Sequence, residues 1–181
     1  VLAGGESRRM GRDKAVIPVE GEPLLTRTVR IARTVVDEVL VVGRDAPKGW
    51  LFSGVCFYPD DQPGRGPLAG LATALRVGTD DILLLACDQP RLQAETISWL
   101  LSSAENSSAE HGLIVRGTTK WEPLFSVYRQ ECLPLIDTVP FGSPFSLRGL
   151  IARGTFAFVD APDAVNHQLF NMNLPEDIAR I

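Results

Sequence analysis

The chain has 181 residues, of which 45% are hydrophobic and 22% are charged, with a net charge of −4 at pH 7 and a pI of about 5.2. This length fits one domain with a core of its own, and the acidic balance argues against a nucleic-acid-binding surface. The longest unbroken apolar run, from Ile82 to Cys87, is too short to cross a bilayer. We therefore expect a globular domain that binds neither nucleic acid nor a membrane.

The cysteines favour a reducing, cytoplasmic setting. Cys56, Cys87 and Cys132 are odd in number, widely spaced and set in apolar stretches, which is the pattern of neither a disulfide framework nor a zinc site. No signal-peptide pattern is visible in the sequence. Because Val1 already stands in a predicted strand, we expect a few residues to precede it.

The first half of the chain alternates apolar runs with segments of helical periodicity. Strands are predicted at residues 1–4, 38–43, 54–60 and 81–88, and helices at residues 23–35, 66–77 and 94–104. The run at 81–88 is apolar almost throughout, which indicates a central strand covered on both faces. The alternation predicts an α/β fold with a mostly parallel central sheet and helices on both faces.

The second half changes rhythm. Paired strands are predicted at 112–115 and 122–129 around a polar turn, followed by helices at 130–139 and 146–153, a strand at 155–162 and a closing helix at 175–181. No linker, repeat or low-complexity tract is visible. We expect a single domain over 1–181, with a nucleotide-binding half at 1–105 and an elaborated half at 106–181.

The stretch after the first predicted strand combines glycines with a basic cluster. Gly4 and Gly5 allow a turn with positive φ that brings backbone N–H groups close to a ligand. The basic residues that follow are Arg8, Arg9, Arg12 and Lys14. Since arginine can fork two phosphate oxygens and lysine acts as a point charge, Arg9 and Lys14 predict a socket for a triphosphate. The alternative is an ordinary tight turn, because the spacing matches neither the Walker pattern nor the dinucleotide fingerprint.

Asp88 ends the most apolar strand of the chain and is followed by Gln89 and Pro90. A carboxylate buried without a partner is costly, so a partner is expected at this position. Mg²⁺ typically takes one or two carboxylates together with phosphate oxygens. Asp88 is therefore predicted to be a magnesium ligand, with a helix cap as the alternative.

A second glycine-rich loop follows Asp60 and Asp61. Gly64 and Gly66 in this loop would let a flat ligand lie against the backbone, beside the free N–H groups of the helix that follows. A plain loop is the alternative. However, Gly4, Asp60 and Asp88 each lie just past the carboxyl end of a predicted strand, and these ends share one edge in a parallel sheet. Open α/β folds bind ligands at that edge, so the three signals point to one crevice.

Several blocks of the sequence, taken in order, resemble the molybdenum cofactor guanylyltransferases, which attach GMP to molybdopterin. The blocks read LAGGESRRMGRDKA, PDDQPGRGPLAGL, LLLACDQPRL, EPLFSVYRQECLPLI, SLRGLI and FNMNLPEDI, and they extend over nearly the whole chain. The resemblance implies a Rossmann-like nucleotidyltransferase fold that binds GTP and Mg²⁺. It also implies that residues 106–181 form the half that receives the pterin substrate.

The resemblance also implies roles for individual residues. The nucleotide would contact the backbone of Leu2, Ala3, Gly4 and Gly5 and the region of Asp60 and Gly66, with Asp60 near the guanosine. Lys14 would bind the phosphates, and Asp88 would bind the metal and thereby the GTP. Asn171 and Asn173 would lie near the pterin or the metal. Transient contacts with cofactor-biosynthesis proteins or molybdoenzyme chaperones would fit such an enzyme.

The chemistry expected of such an enzyme needs no general base. The terminal phosphate of molybdopterin would attack the α-phosphorus of GTP and expel pyrophosphate, and a phosphate monoester is already mostly ionised at pH 7. Catalysis would come from positioning and from charge neutralisation by Mg²⁺, Arg9 and Lys14, with Asp88 holding the metal. The catalytic residues predicted are thus Arg9, Lys14 and Asp88.

The asparagine pair suits the acceptor better than the nucleotide. In an extended segment Asn171 and Asn173 point to one face, while Phe170 and Met172 point to the other. Amides offer both a donor and an acceptor, which fits a pterin ring. The alternative is that both amides only hydrogen-bond loop backbone.

Three other functions remain open from the sequence. A molybdopterin cytidylyltransferase tends to carry alanine at the position of Gly4 and to lack the block GPLAG at 66–70. A sugar-phosphate nucleotidyltransferase usually has a longer chain and a paired acid at the metal, whereas the segment CDQP supplies one acid. A nucleotide-binding adaptor without catalysis is disfavoured by the presence of Arg9, Lys14 and Asp88.

Overall fold

The computed structural model describes residues 1–4, 13–59, 66–139, 146–172 and 176–177. Its strands are β1 Pro18–Val19, β2 Glu22–Pro23, β3 Val39–Val42, β4 Val55–Tyr58, β5 Ile82–Leu85, β6 Gly112–Arg116, β7 Phe125–Tyr128 and β8 Ala157–Asp160. Its helices are a 3₁₀ turn at Lys14–Val16 and α1 Leu24–Ala32, α2 Pro67–Val77, α3 Ala94–Glu105, α4 Cys132–Asp137, α5 Leu147–Arg153 and α6 Asp163–Gln168.

The strands of the main sheet run in the order β4, β3, the segment around Leu2, β5, β7, β6 and β8. Leu2 joins the two parts of the sheet, because it forms parallel bridges to Val42 of β3 and to Ala86 just after β5. β3 pairs with β4 and β6 with β8 in parallel, while β7 is antiparallel to both β5 and β6. The mostly parallel sheet is thus confirmed, with β7 as the reversed strand.

Helices cover both faces of this sheet. One face packs α1, α3 and α6 through buried side chains such as Val29, Ile97 and Val165. The other face packs α2, α4 and α5 through side chains such as Leu71 and Cys132. β5 lies in the middle, with Leu85 facing the first layer and Leu84 the second. The prediction of a central strand buried on both faces is confirmed.

The sequence explains where the helices begin. Pro67 occupies the first turn of α2, where its missing N–H costs no hydrogen bond, and Gly66 precedes it with φ 71°. Ser146 caps α5, since its side chain accepts a hydrogen bond from the N–H of Gly149. The helix predicted at 23–35 ends earlier than expected, at Ala32, although the chain continues in turns.

The 3₁₀ turn, the β1–β2 hairpin and α6 were not predicted. β1 and β2 form an antiparallel hairpin whose two turn residues, Glu20 and Gly21, have φ 52° and 83°. Such positive φ values are typical of the tight hairpin turns that match the twist of the strands. Most of the closing helix predicted at 175–181 lies outside the described residues.

The paired strands predicted in the second half are confirmed. β6 and β7 pair antiparallel, with Leu113 opposite Val127, and Arg116 bridges to Trp121 at the far end of the polar turn. None of the helices in the described part of the chain is long and apolar enough to cross a membrane.

Candidate active site

The carboxyl ends of the parallel strands form one edge of the sheet, which we call the carboxyl edge. Its centre is fixed by backbone hydrogen bonds around the first residues of the chain. The N–H of Leu2 donates to the carbonyl of Leu85 (2.7 Å), the N–H of Cys87 donates to the carbonyl of Leu2 (3.3 Å), and the N–H of Ala3 donates to the carbonyl of Val42 (2.9 Å). The donors of Leu2 and Ala3 are therefore used within the sheet. Within the described residues, no such bond engages the carbonyl of Ala3 or the backbone of Gly4, which can face a ligand.

Gly4 serves close packing rather than an unusual backbone angle. Of the two glycines expected to allow positive φ, Gly4 does not adopt it and Gly5 lies outside the described residues. Gly43, just past β3, has φ 100°. A Cβ on Gly43 would lie 2.6 Å from both the Cα and the N of Gly4, and a Cβ on Gly4 would lie 3.0 Å from the Cα of Gly43. The two segments of the chain touch at this point, and neither glycine can carry a side chain without a shift of the backbone.

Lys14 lies in the 3₁₀ turn that leads into β1. Asp13 caps this turn, because its Oδ1 accepts a hydrogen bond from the N–H of Ala15 (3.0 Å). The other oxygen of Asp13 is 2.9 Å from the Nη1 of Arg44, which follows Gly43. The turn is thereby tied to the end of β3, and this tie fixes where the backbone of Lys14 stands.

Lys14 and Asp88 meet at the carboxyl edge. The Nζ of Lys14 is 3.1 Å from the Oδ2 of Asp88, and the two side chains are only 16% and 20% exposed. The two residues predicted to be the phosphate-binding cation and the metal-binding acid thus lie side by side, far apart in sequence. Mostly buried, each charge compensates the other in the free protein.

The second oxygen of Asp88 has no such partner. Asp88 Oδ1 is buried and accepts no hydrogen bond from the described residues, and the same holds for the Oε1 of its neighbour Gln89. Buried polar atoms are normally hydrogen-bonded, so an orphaned carboxylate oxygen calls for a partner from outside the protein. A hard cation such as Mg²⁺ prefers oxygen ligands of this kind. The fit therefore favours a metal at Asp88, although the described residues contain no group of three His, Cys, Asp or Glu side chains that could hold one.

The loop after Asp88 is anchored by α1. The Nε of Arg27 donates to the carbonyl of Pro90 (3.0 Å), while the Nη1 of Arg27 is 3.1 Å from the Oε2 of Glu20 in the β1–β2 turn.

The thiol of Cys87, which precedes Asp88, stays protonated, because burial and then the charge of Asp88 raise its pKa to about 12. Cys87 is thus a packing residue and not a nucleophile.

Gly66 stands at the start of α2, which packs against both β3 and β5. Its φ of 71° lies in the left-handed region, and no atom of the described residues lies within 4 Å of the place a Cβ would take. The glycine at this position is explained by its backbone angle, and the space in front of it is open.

Asn171 is close to the edge and hydrogen-bonded to its own loop. The N–H of Met172 donates to the carbonyl of Asp88 (2.8 Å), and Met172 is fully buried in a cluster with Ile17 and Leu24. The Nδ2 of Asn171 donates to the carbonyl of Leu169 (3.3 Å), which matches the alternative of a backbone-binding amide in the free protein.

Four predicted site residues lie outside the described residues: Gly5, Arg9, Asp60 and Asn173. Their roles stay predictions. The described site residues Leu2, Ala3, Gly4, Lys14 and Asp88 are brought together at the carboxyl edge. Asn171 precedes Met172, whose N–H donates to the carbonyl of Asp88, and Gly66 stands at the start of α2.

From the sequence alone, Glu122 fits two settings equally well, a position facing the pterin or a hairpin turn. The structure places it at the carboxyl edge, just before the reversed strand β7, with 8% of its surface exposed. Burial raises the pKa of its carboxyl group, and the charge of Asp88 raises it further, against the opposing effect of Lys120. A glutamate directly before Pro123 at a strand start was the available signal, but only the reversed direction of β7 brings it to this edge.

Comparison with known proteins identifies the family. Residues 1–154 match the family described as MobA-like NTP transferase domain. The chain belongs to this family. The resemblance read from the sequence blocks is thereby confirmed.

Two relatives carry more specific names. The chain is 38% identical to the probable molybdenum cofactor guanylyltransferase of Synechococcus elongatus, over 98% of this chain and 93% of that protein. It is 34% identical to the molybdenum cofactor guanylyltransferase of Pseudomonas putida, over 97% of this chain and 92% of that protein.

A solved structure confirms the fold. The molybdopterin-guanine dinucleotide biosynthesis protein A of Archaeoglobus fulgidus superposes with a TM-score of 0.82, covering 99% of this chain and 93% of its own. At 21% identity this likeness bears on the fold alone. The prediction of a Rossmann-like nucleotidyltransferase fold is confirmed.

Proposed function

We propose that the chain is a molybdenum cofactor guanylyltransferase, which transfers GMP from GTP to the terminal phosphate of molybdopterin and releases pyrophosphate. The observation that carries this proposal is the similarity to relatives of that name over nearly the full length of both proteins. The meeting of Lys14 and Asp88 at the carboxyl edge supports it, because phosphoryl chemistry needs a cation for the phosphates and an acid for the metal.

The residues of the edge divide the work. Lys14, together with Arg9, would neutralise the phosphates of GTP, and Asp88 would hold Mg²⁺ through its unpartnered Oδ1. A bound Mg²⁺ supplies charge neutralisation at the phosphate oxygens. The base and ribose would lie on the side of Gly4, Asp60 and Gly66, contacting backbone at Leu2, Ala3, Gly4 and Gly5.

The Lys14–Asp88 pair gives the free site a stable resting arrangement. In it the ammonium neutralises the carboxylate, so neither charge is buried alone. The phosphates of GTP offer Lys14 a second anion, and the Asp88 oxygens then become available to the metal. On this account nucleotide and metal bind better together than either binds alone.

The acceptor needs no base from the protein, since its phosphate is mostly ionised at neutral pH. The chain's part is to hold that phosphate in line with the α-phosphorus and to screen the charge that both reactants carry. Asn171 and Asn173 would contact the pterin, in the half formed by residues 106–181 of a single domain.

A molybdopterin cytidylyltransferase is the second candidate. Glycine at position 4 and the block at 66–70 favour guanine over cytosine as the base of the nucleotide.

We infer a cytoplasmic enzyme. Its partners are its two substrates and, transiently, the proteins that supply or receive the cofactor, with no part for nucleic acid or a membrane.

Nucleotide choice tests the proposal. GTP with Mg²⁺ should raise the melting temperature of the protein through preferential binding to the folded state, and CTP should do so much less. Molybdopterin should then be converted with GTP and not with CTP, as followed by pyrophosphate release. A larger thermal shift and faster turnover with CTP would overturn the guanine assignment.

A further inference from the structure

Glu122 and Asp88 leave the sheet at the same edge. β5 and β7 pair antiparallel with Leu85 opposite Phe125, and the N–H of Ala86 donates to the carbonyl of Leu124 (3.2 Å). Asp88 lies just beyond Leu85 on one strand, and Glu122 lies just before Phe125 on the other. Asp88 and Glu122 therefore both lie beyond the Leu85–Phe125 pair, at the same edge of the sheet.

The backbone of Glu122 is held on both sides. Its N–H donates to the carbonyl of Val115 on β6 (2.8 Å). Its carbonyl accepts from the N–H of Phe125 (2.9 Å) and from the Oγ of Ser126 (2.8 Å), which is fully buried. These bonds fix the position from which the side chain extends, and a fixed position is what a recognition residue needs.

Among the described residues, the ion partner of the mostly buried Glu122 carboxylate is Lys120. The side chain of Glu122 is 10% exposed, and the Nζ of Lys120, itself half exposed, lies 3.5 Å from its Oε1. That distance is longer than a good charge-assisted hydrogen bond, and a half-exposed lysine compensates a buried charge weakly. This contact therefore offsets only part of the cost of burying the carboxylate.

Gly117 packs directly against this carboxylate. A Cβ on Gly117 would come within 3.2 Å of the Oε1 of Glu122 and of the carbonyl oxygen of Lys120, and within 3.3 Å of the Oδ1 of Asn166. Asn166 holds the neighbouring turn, since its Oδ1 accepts from the N–H of Thr118 (3.0 Å). Glycine at position 117 thus keeps a side chain from crowding the carboxylate of Glu122.

The charge at Glu122 decides what kind of group fits. A carboxylate repels a triphosphate, so a phosphate subsite is excluded. It accepts two parallel N–H bonds well, and the edge formed by a ring N–H and an exocyclic amine offers them. Both guanine and a pterin present that edge. Because β7 lies on the side of β5 away from Leu2 and β3, the acceptor and not the nucleotide base is the ring on this side.

We propose that Glu122 is a specificity-determining residue that binds the amino-pyrimidinone edge of the acceptor's pterin ring. This inference rests on the proposed function. Glu122 selects an acceptor with two adjacent N–H donors and orients its phosphate toward the α-phosphorus of GTP.

The test uses the full chain and a variant that keeps the shape of the side chain. Glu122→Gln offers one acceptor and one donor in place of two acceptors, so we expect the KM for molybdopterin to rise about 10- to 100-fold. The Kd for GTP with Mg²⁺ and the Mg²⁺ concentration for half-maximal rate should stay unchanged. Lys120→Met is the matched control: it removes the ion pair but keeps the carboxylate, and its KM should stay close to that of the wild type.

A ligand pair adds a readout that a purely structural role would not move. Wild-type protein should be inhibited by 6-carboxypterin at concentrations about tenfold or more below those of 6-carboxylumazine, which has an oxo group in place of the amine. Glu122→Gln should lose this preference. An unchanged preference, a raised Kd for GTP, a raised Mg²⁺ requirement, or an equal effect of Lys120→Met would each overturn the inference. Failure of the proposed function is distinct, because the wild type would then form no product from molybdopterin and GTP.

Discussion

The two ends of the β5–β7 strand pair carry similar residues in different settings. At the amino end of β5, Asp81 lies 3.5 Å from the Nε of Arg129, which follows β7, and Asp81 is half exposed. The neighbouring Gln130 donates to the carbonyl of Asp80 (2.8 Å). These polar groups reach water or the backbone, as is usual at the surface of a sheet edge.

At the other end of the pair, where β5 ends and β7 begins, the charges are buried. Lys14 and Asp88 are mostly shielded from water, Glu122 is more so, and two side-chain oxygens accept no hydrogen bond from the described residues. The amino end shows that the strand pair can be finished with solvated ions. The buried charges at the carboxyl end are thus not needed for the fold, and their cost is explained by ligands that complete them.

Replacement of Asp88 should have the largest effect. Asp88→Asn weakens metal binding and removes the negative charge beside Lys14, so turnover should fall about 10³-fold or more, which is about 4 kcal/mol. The matched variant Asp81→Asn, at the other end of β5, should retain wild-type turnover. Steady-state rates at saturating GTP and Mg²⁺ measure the turnover of both variants. Equal losses in the two variants would show that the acid at the carboxyl end of β5 has no special role in turnover.

Replacement of Lys14 should separate two effects of its charge. Lys14→Met should lose about 2–4 kcal/mol of transition-state stabilisation, comparable to the loss of one preorganised donor. Its affinity for Mg²⁺ alone should rise, because Asp88 is no longer neutralised by an ammonium group. Rates and calorimetric metal titrations test this, with Arg129→Met, near the amino end of β5, as the control. A Lys14→Met enzyme with an unchanged rate would show that the socket lies elsewhere.

Substitutions at two glycines, one at each edge of the sheet, test whether backbone strain at the carboxyl edge also affects turnover. Gly43→Ala and Gly112→Ala both place a Cβ at positive φ, against the backbone of Gly4 in one case and the carbonyl of Val127 in the other. Each should cost about 3 kcal/mol of unfolding free energy from strain and overlap. Urea denaturation measures that loss. Only Gly43→Ala should also lower turnover per folded molecule, since Gly112 lies at the start of β6, on the edge of the sheet opposite the carboxyl edge. A loss of turnover in Gly112→Ala but not in Gly43→Ala would contradict this expectation.

Glu122→Gln should have the smallest effect on stability, and a favourable one. Because burial raises the folded-state pKa of Glu122, ionisation destabilises the fold as the pH rises through and above the ordinary glutamate value. The variant should therefore melt about 2–4 °C higher near pH 7, the shift that about 1 kcal/mol produces at this length. Below the ordinary glutamate pKa both proteins carry a neutral group and the difference should vanish. A difference independent of pH would refute the assigned cause.

Much of the fold was readable because its signals are local. Apolar runs and helical periodicity gave β3, β4, β5 and the helices around them, and the strand–helix alternation gave the parallel sheet. The rule that parallel strands end at one edge placed Gly4 and Asp88 together. The β1–β2 hairpin was missed because strands as short as Pro18–Val19 show no periodicity, although the residues Glu20 and Gly21 were a usable turn signal.

The pairing within the site was not readable from the sequence. Lys14 and Asp88 come together with the help of the 3₁₀ turn, its cap Asp13 and the tie to Arg44. The cap is a local contact, but the ion pairs of Asp13 with Arg44 and of Lys14 with Asp88 join residues far apart in the sequence and have no local signature. The contact between Gly4 and Gly43 likewise depends on which strands are neighbours. Glu122 reaches the edge because β7 runs backwards, a fact of topology and not of composition.

The central claim is that the carboxyl edge directs attack of the acceptor on the α-phosphorus of GTP. The most direct measurement uses GTP carrying an isotopic label in either its α- or its γ-phosphate, with molybdopterin, Mg²⁺ and the full chain, and follows both products by mass spectrometry. The account predicts that the α-label appears in the pterin dinucleotide and the γ-label in pyrophosphate, and that Asp88→Asn abolishes both while Asp81→Asn preserves them. Transfer of the γ-label to the pterin, or equal product from both variants, would contradict it.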